Sequence, residues 1–116
     1  MVTHAPRKPY VPQKGDVVWL DFTPQAGKEQ KGRRPALVVS SNDYNRTGLM
    51  LACPITSRIK GYPFEVDILT GMIKGCVLAD HLKNQDWKAR RAEFITHAPA
   101  EILKQVHQLI AALLVQ

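Results

Sequence analysis

Two segments hold the residue types that could grip a phosphate. In GKEQKGRRPALVVS, Gly27 to Ser40, the bases Lys28, Lys31, Arg33 and Arg34 surround one acid, Glu29, and an apolar run follows at once. Gly27 and Gly32 let the backbone come close to a ligand. Arg34 stands apart because Pro35 follows it, and proline biases its predecessor to extended geometry. A guanidinium fixed in that way can bind two phosphate oxygens at once. In CPITSRIKGYPF, Cys53 to Phe64, Thr56 and Ser57 place hydroxyls at the end of an apolar run, and Arg58 and Lys60 add charge. Both segments have a plainer reading. The first can be a solvated hairpin loop, which charge and spacing alone slightly favour. The hydroxyls of the second can simply satisfy turn amides. Tyr62 and Phe64 read as core or edge aromatics.

A third segment, ADHLKNQDWKARRAE, sets Trp87 among Lys83, Lys88, Arg90 and Arg91. An aromatic ring among basic residues can stack on a base of a single strand. A strand edge with alternating outward charges fits the pattern equally well. Arg90 and Arg91 point to opposite faces if the chain there is extended. Metal chemistry finds little support: His4, His81, His97 and His107 show no HxxxH-type spacing with one another, and Cys53 and Cys76 form no CxxC pair. Each cysteine sits in an apolar run and reads as a small buried hydrophobe rather than as half of a disulfide.

Short strands must carry these residues. Asp16–Phe22 is rich in β-branched and aromatic side chains, and Pro35–Ser41 and Leu49–Thr56 are almost continuously apolar. Phe64–Leu69 alternates; Cys76–Asp80 and Lys88–Ile95 complete the set, with turn residues between them. Regular short strands with turn signals predict a mainly β small barrel or sandwich. From about residue 98 to 115 the pattern changes: Ile102, Leu103, Val106, Leu109, Ile110, Leu113 and Leu114 recur at helical spacing. Pro99 suits the first turn of that helix and Glu101 complements its dipole. The apolar stripe would seal an open side of the barrel and could also serve a homodimer contact. The chain of 116 residues is read as one domain, 1–116, with residues 1–13 an extended basic arm. No stretch is apolar enough to span a membrane or to act as a secretory signal. The formal net charge of +6 favours an acidic partner such as nucleic acid, anionic lipid or an acidic protein tail.

In their order along the chain, KGDVVWLDFTPQAGKEQKGRRPALVVS, YNRTGLMLACPITSRIKGYPFEV and LADHLKNQDWKARRAE resemble the MazF/PemK family of toxin endoribonucleases from bacterial toxin–antitoxin pairs. The resemblance covers about Gly15 to Glu93, and the C-terminal helix fits it. It implies an SH3-like barrel that works as a cytoplasmic homodimer and cuts single-stranded RNA, usually mRNA, at short sequences without metal or cofactor. It places the family's catalytic arginine at Arg34, its catalytic threonine at Thr56 and its loop glutamate at Glu29. Phe22, Thr23 and Pro24 would line the RNA groove. Lys28, Gln30, Lys31 and Arg33 would gather RNA around Arg34, Arg58 and Lys60 would add charge to the rim, the pair Ser57–Arg58 varies in the family, and Trp87 remains an RNA-binding candidate. Many relatives carry glutamine where this chain has His81, in a region that helps choose bases, so no cut sequence carries over. A cognate MazE/PemI-like antitoxin with an acidic, disordered tail is the implied protein partner.

The chemistry expected of such a site is transesterification. The 2′-hydroxyl of RNA attacks the adjacent phosphorus, leaving a 2′,3′-cyclic phosphate and a 5′-hydroxyl. Arg34 is assigned to charge stabilisation and, reluctantly, to acid catalysis; Thr56 contacts the phosphate; Glu29 serves as base or positions the loop. Two alternatives differ in kind: a CcdB-like poison of DNA gyrase on the same fold, and a barrel that binds RNA without cutting it.

Overall fold

A computed structural model describes residues 9–22 and 32–115. Seven strands run in chain order as β1 Asp16–Asp21, β2 Arg33–Val38, β3 Leu49–Thr56, β4 Glu65–Thr70, β5 Ile73–Leu78, β6 Lys83–Asp86 and β7 Glu93–His97. Two helices, α1 Asn42–Asn45 and α2 Ala100–Val115, complete the described structure. Every strand pairing is antiparallel, in the order β4-β5-β3-β2-β1-β7 with β6 against β3. The sheet curls into a half-barrel. Its edge strands approach where the Thr70 hydroxyl donates to the His97 carbonyl at 3.2 Å.

The near-continuous apolar runs have a direct explanation: β1, β2 and β3 are buried on both faces. Val17, Leu37, Cys53 and Ile55 face the interior of the curl with Val66, Ile68 and Val77. Val18, Leu20, Ala36, Val38, Met50 and Ala52 face the other way, onto a second apolar cluster capped by Trp87. Helix α2 closes the first cluster. Val106 is fully buried there, with Ile102, Leu103, Leu109 and Ile110 packed beside it. A ring nitrogen of His107, Nε2, sits 2.9 Å from the Val39 carbonyl and ties the helix to the sheet. Toward its end the stripe leaves the core, and Leu114 and Val115 are exposed.

The strand expected over 88–95 divides. Residues 87–91 form a turn, Arg91 takes a positive φ of 55°, and the strand begins at Glu93. The fifth strand begins at Ile73 rather than Cys76, because TGMIK is a tight reversal about Gly71 and not a longer loop. β6, KNQD, gives no apolar signal, and main-chain pairing with Leu49–Ala52 alone makes it a strand. Helix α1 is a single capped turn. The Ser41 hydroxyl accepts from the Tyr44 amide, and the buried Asn45 amide donates to the carbonyls of Pro12 and Ser40. No described helix is long and apolar enough to cross a membrane.

Candidate active site

β1 and β2 form a hairpin whose described base is the Phe22 amide donating to the Gly32 carbonyl at 2.7 Å. The loop above it holds Thr23, Pro24, Lys28, Glu29, Gln30 and Lys31, which lie outside the described residues. At the entry to β2, Arg33 and Arg34 point to opposite sides, as successive residues of a strand must. Their surroundings differ accordingly. Arg33 donates to Asp21 Oδ1 at 2.9 Å, to Glu93 Oε1 at 3.0 Å and to the Arg91 carbonyl at 3.0 Å. Arg34 is exposed, and among the described residues no carboxylate pairs with it.

The β2–β3 register pairs Ala36 with Pro54. Followed two residues further, it runs Arg34 toward Thr56. Both line an open cleft of about 530 Å³ with Arg58 and Lys74. Among the described residues no acidic side chain lines this cleft, so its field favours an anion. Thr56 ends β3. Its hydroxyl accepts the Arg58 amide at 3.1 Å, a turn contact that leaves the hydroxyl proton free to be donated outward. The backbone beneath it is held by β5, where Cys76 pairs with Thr56. Gly75 is required here, since a Cβ at that position would collide with the Thr56 carbonyl.

Two smaller clefts adjoin the first. One, of about 150 Å³, lies between Thr56, Arg58, Tyr62, Glu65 and His81. Its wall is built by Glu65, whose carboxylate accepts the amides of Lys60 and Gly61 and shapes the turn after β3. Tyr62 is exposed there, with the Lys60 ammonium 5.7 Å from its ring centre. The other, of about 210 Å³, brings Phe22, Arg34, Pro54, His81 and Lys83 together. His81 ends a short 3-10 turn, Ala79–His81, and borders both. The fold thus gathers Phe22, Arg34, Thr56, Ser57, Arg58, Lys60 and His81 from four separate stretches of chain.

Two expectations change. Trp87 is no stacking platform. Its ring is 6% exposed, belongs to the second apolar cluster and donates Nε1–H to the Asn45 carbonyl at 2.8 Å. A base cannot stack on a face that the core already covers. Arg33 borders the large cleft, but its guanidinium is engaged in a clamp. In that clamp Asp21 also receives Arg91 Nε–H at 2.8 Å, while Arg90 donates to the carbonyls of Asp21 and Phe22. The Arg91 hydrogen bond, joined by Arg33, holds the Asp21 carboxyl below the usual carboxylate range. Arg90 and Arg91 therefore converge on one hairpin instead of diverging from a strand.

Lys74 was not legible as a site residue because its strand starts earlier than the apolar pattern suggests. The signal that could have found it is the apolar–basic alternation of Ile73 and Lys74 just before Gly75 in the sequence, which on β5 leaves Lys74 exposed between buried neighbours. The thiols offer no nucleophile. Burial pushes Cys53 up to about 12, and burial followed by Glu65 pushes Cys76 up to about 11, so both stay protonated at neutral pH. They are unpaired, as buried hydrophobes should be.

Residues 13–114 match the family described as "PemK-like, MazF-like toxin of type II toxin-antitoxin system". The chain is 49% identical over 96 residues to "Endoribonuclease toxin MazF" of Escherichia coli strain K12, covering 80% of this chain and 86% of that protein. It is 31% identical over 100 residues to "Endoribonuclease PemK" of Escherichia coli, covering 81% and 75%. Among solved structures, MazF from Deinococcus radiodurans superposes with a TM-score of 0.83 at 55% identity, covering 93% of this chain and all of that one. A MazE-MazF structure from the same organism superposes at 0.82 and 55%, covering 90% and 97%.

Proposed function

The chain belongs to the PemK-like, MazF-like toxins of type II toxin–antitoxin systems and is an endoribonuclease toxin, and from that premise we propose that it cuts single-stranded RNA, mRNA above all, at Arg34 and Thr56. The reading rests on one observation: an arginine that no carboxylate among the described residues pairs with, and a hydroxyl oriented by the Arg58 amide, line the same cationic cleft.

In that cleft the scissile phosphate lies against the Arg34 guanidinium. Thr56 donates its hydroxyl proton to a non-bridging oxygen. The 2′-oxygen attacks phosphorus in line, the P–O5′ bond breaks, and the products are a 2′,3′-cyclic phosphate and a 5′-hydroxyl. Negative charge grows on the phosphate oxygens, and donors already in place are worth roughly 3–4 kcal/mol each there. Arg58, Lys60 and Lys74 hold neighbouring phosphates, and Phe22 flanks the adjacent nucleotide. Glu29 serves as base or positions the loop. The chemistry itself calls for no metal.

The same cationic surface suits an acidic antitoxin tail that orders on binding and covers the cleft. The MazE-MazF structures of similar sequence support that pairing. A homodimer in the cytoplasm is the working assembly we assign, with mRNA as its encountered substrate.

Incubating the purified chain with mixed-sequence RNA in excess EDTA and mapping the ends tests the reading. Defined cuts with 5′-hydroxyl ends are expected, and intact RNA would overturn it. The gyrase-poisoning and non-cutting alternatives are not favoured, since the chain's relatives are endoribonucleases.

A further inference from the structure

Glu65 is the one carboxylate among the described residues that line the three joined clefts. Arginines and lysines make up the rest of their charge. An acid repels a phosphate, so the recess that Glu65 lines suits a different part of a nucleotide. That recess is the smallest of the three, about 150 Å³, and its other walls include Thr56, Arg58, Lys60, Tyr62 and Leu78.

Strand register brings these groups together. On β5, Cys76 pairs with Thr56 of β3, and Leu78 pairs with Glu65 of β4. Cys76 and Leu78 are two residues apart, so Thr56, Leu78 and Glu65 stand on one face of the sheet. The half-buried Leu78 gives the recess an apolar wall. Tyr62 is 61% exposed, so its ring, unlike that of Trp87, is open to stacking. An apolar wall, an open ring and a polar edge are the features that hold an unstacked base of single-stranded RNA.

The carboxylate has acceptor capacity to spare. Oε1 accepts the Gly61 amide at 2.9 Å and the Lys60 amide at 3.1 Å. The Cys76 thiol also meets the carboxylate. From the backbone Oε2 receives a single long contact, 3.4 Å from the Lys60 nitrogen. An ionised carboxylate accepts through about four lone-pair positions and donates nothing. Fixed by the turn it caps, Glu65 is a preorganised acceptor. Adenine, cytosine and guanine each present an exocyclic amino group to such an acceptor. Uracil presents carbonyl oxygens instead, with its one N–H between them, and a carboxylate repels those oxygens.

We propose that this recess is a base-selecting pocket, in which Glu65 accepts the exocyclic amino group of a base flanking the cut and rejects uracil there. The inference rests on the nuclease reading above. Tyr62 stacks on the same base, and Thr56, on the pocket's rim, keeps that nucleotide next to the scissile phosphate.

The test maps the cuts that the unaltered full-length chain and Glu65→Gln make in mixed-sequence RNA. For the unaltered chain, uracil should be depleted by about tenfold or more at one of the two positions flanking the cut. A glutamine amide can donate to a uracil carbonyl, so in Glu65→Gln the depletion should shrink to within about threefold. A second arm needs no variant. In an oligonucleotide of the preferred sequence, the base at that position is replaced by the same ring without its amino group. The unaltered chain should then lose about 10- to 100-fold in kcat/KM, because the acceptor is left unpaired. Uracil accepted equally at both flanking positions would overturn the proposal, as would full cleavage of the oligonucleotide lacking the amino group. A loss in Glu65→Gln that is uniform over all four bases would reduce Glu65 to a cap of its turn. Intact RNA from the unaltered chain would sink the nuclease reading itself, a failure distinct from cutting without base preference.

Discussion

Arg33 and Arg34 are chain neighbours with the same side chain, yet they belong to different machines. Arg33 joins Arg90 and Arg91 around Asp21 and Phe22, so its donors are occupied by carboxylates and carbonyls. Arg34, one pleat away, faces a cleft whose described lining holds no carboxylate. In the clamp, positive charge is neutralised inside the protein and fastens the foot of the hairpin. In the cleft no described acid neutralises it, and the field favours an anion. Local charge density alone therefore says little about binding, since identical residues serve structure or ligand according to what faces them.

Removing each arginine separates the two roles most sharply. Arg34→Ala should lower single-turnover RNA cleavage by about 100- to 1,000-fold, with the thermal midpoint unchanged within error. A fall in the midpoint with little loss of cleavage would make Arg34 part of the clamp. Thr56→Val keeps the strand but removes the hydroxyl. The loss should be somewhat smaller, about 10- to 100-fold in the same assay, because one neutral donor is removed rather than a charged one.

Gly75 tests the connection between fold and cleft. Gly75→Ala should destabilise the protein by about 1–3 kcal/mol in urea titration, and cleavage should fall even where the variant remains folded. The added methyl has no room except by moving the Thr56 backbone. Native cleavage and stability together would show that β5 can yield at that point.

Arg33→Ala should reverse the Arg34 pattern, with about 1–2 kcal/mol lost in stability and a modest change in RNA affinity. Affinity that fell steeply at unchanged stability would return Arg33 to the RNA surface.

The smallest effect is the clamp's pH dependence. The folded Asp21 pKa is lowered, chiefly by Arg91. Its contribution is therefore fully present above the ordinary aspartate value of about 3.9 and is lost as pH falls below that toward the folded value. Partial exposure limits it to about 1 kcal/mol. Urea midpoints of the unaltered chain and Asp21→Asn should differ at pH 6 and converge by about pH 2.5. An equal gap at both pH values would assign the Asn effect to packing.

What could be read along the chain alone was whatever its own periodicity encodes. Two-sided burial wrote β2 and β3 as almost continuous apolar runs and β1 as a stretch rich in β-branched and aromatic residues, and β3 was bounded at Leu49 and Thr56 as observed. The helical stripe announced α2 because one face must meet the sheet. Pro35 marked Arg34 as the geometrically constrained base, and the order of three motifs pointed to a family. Tertiary structure alone decided the partners. Trp87 reads as a ring among cations, and only the fold brings Asn45 and the second apolar cluster to it. β6 carries no pattern of its own and exists through its pairing with β3. Arg33 reaches Glu93 from 60 positions away, and His81 comes to border one cleft with Arg34 and another with Thr56 only where separate strand ends converge. Periodicity records which face of an element is buried; contacts between distant positions depend on how the elements are assembled, which no local spacing specifies.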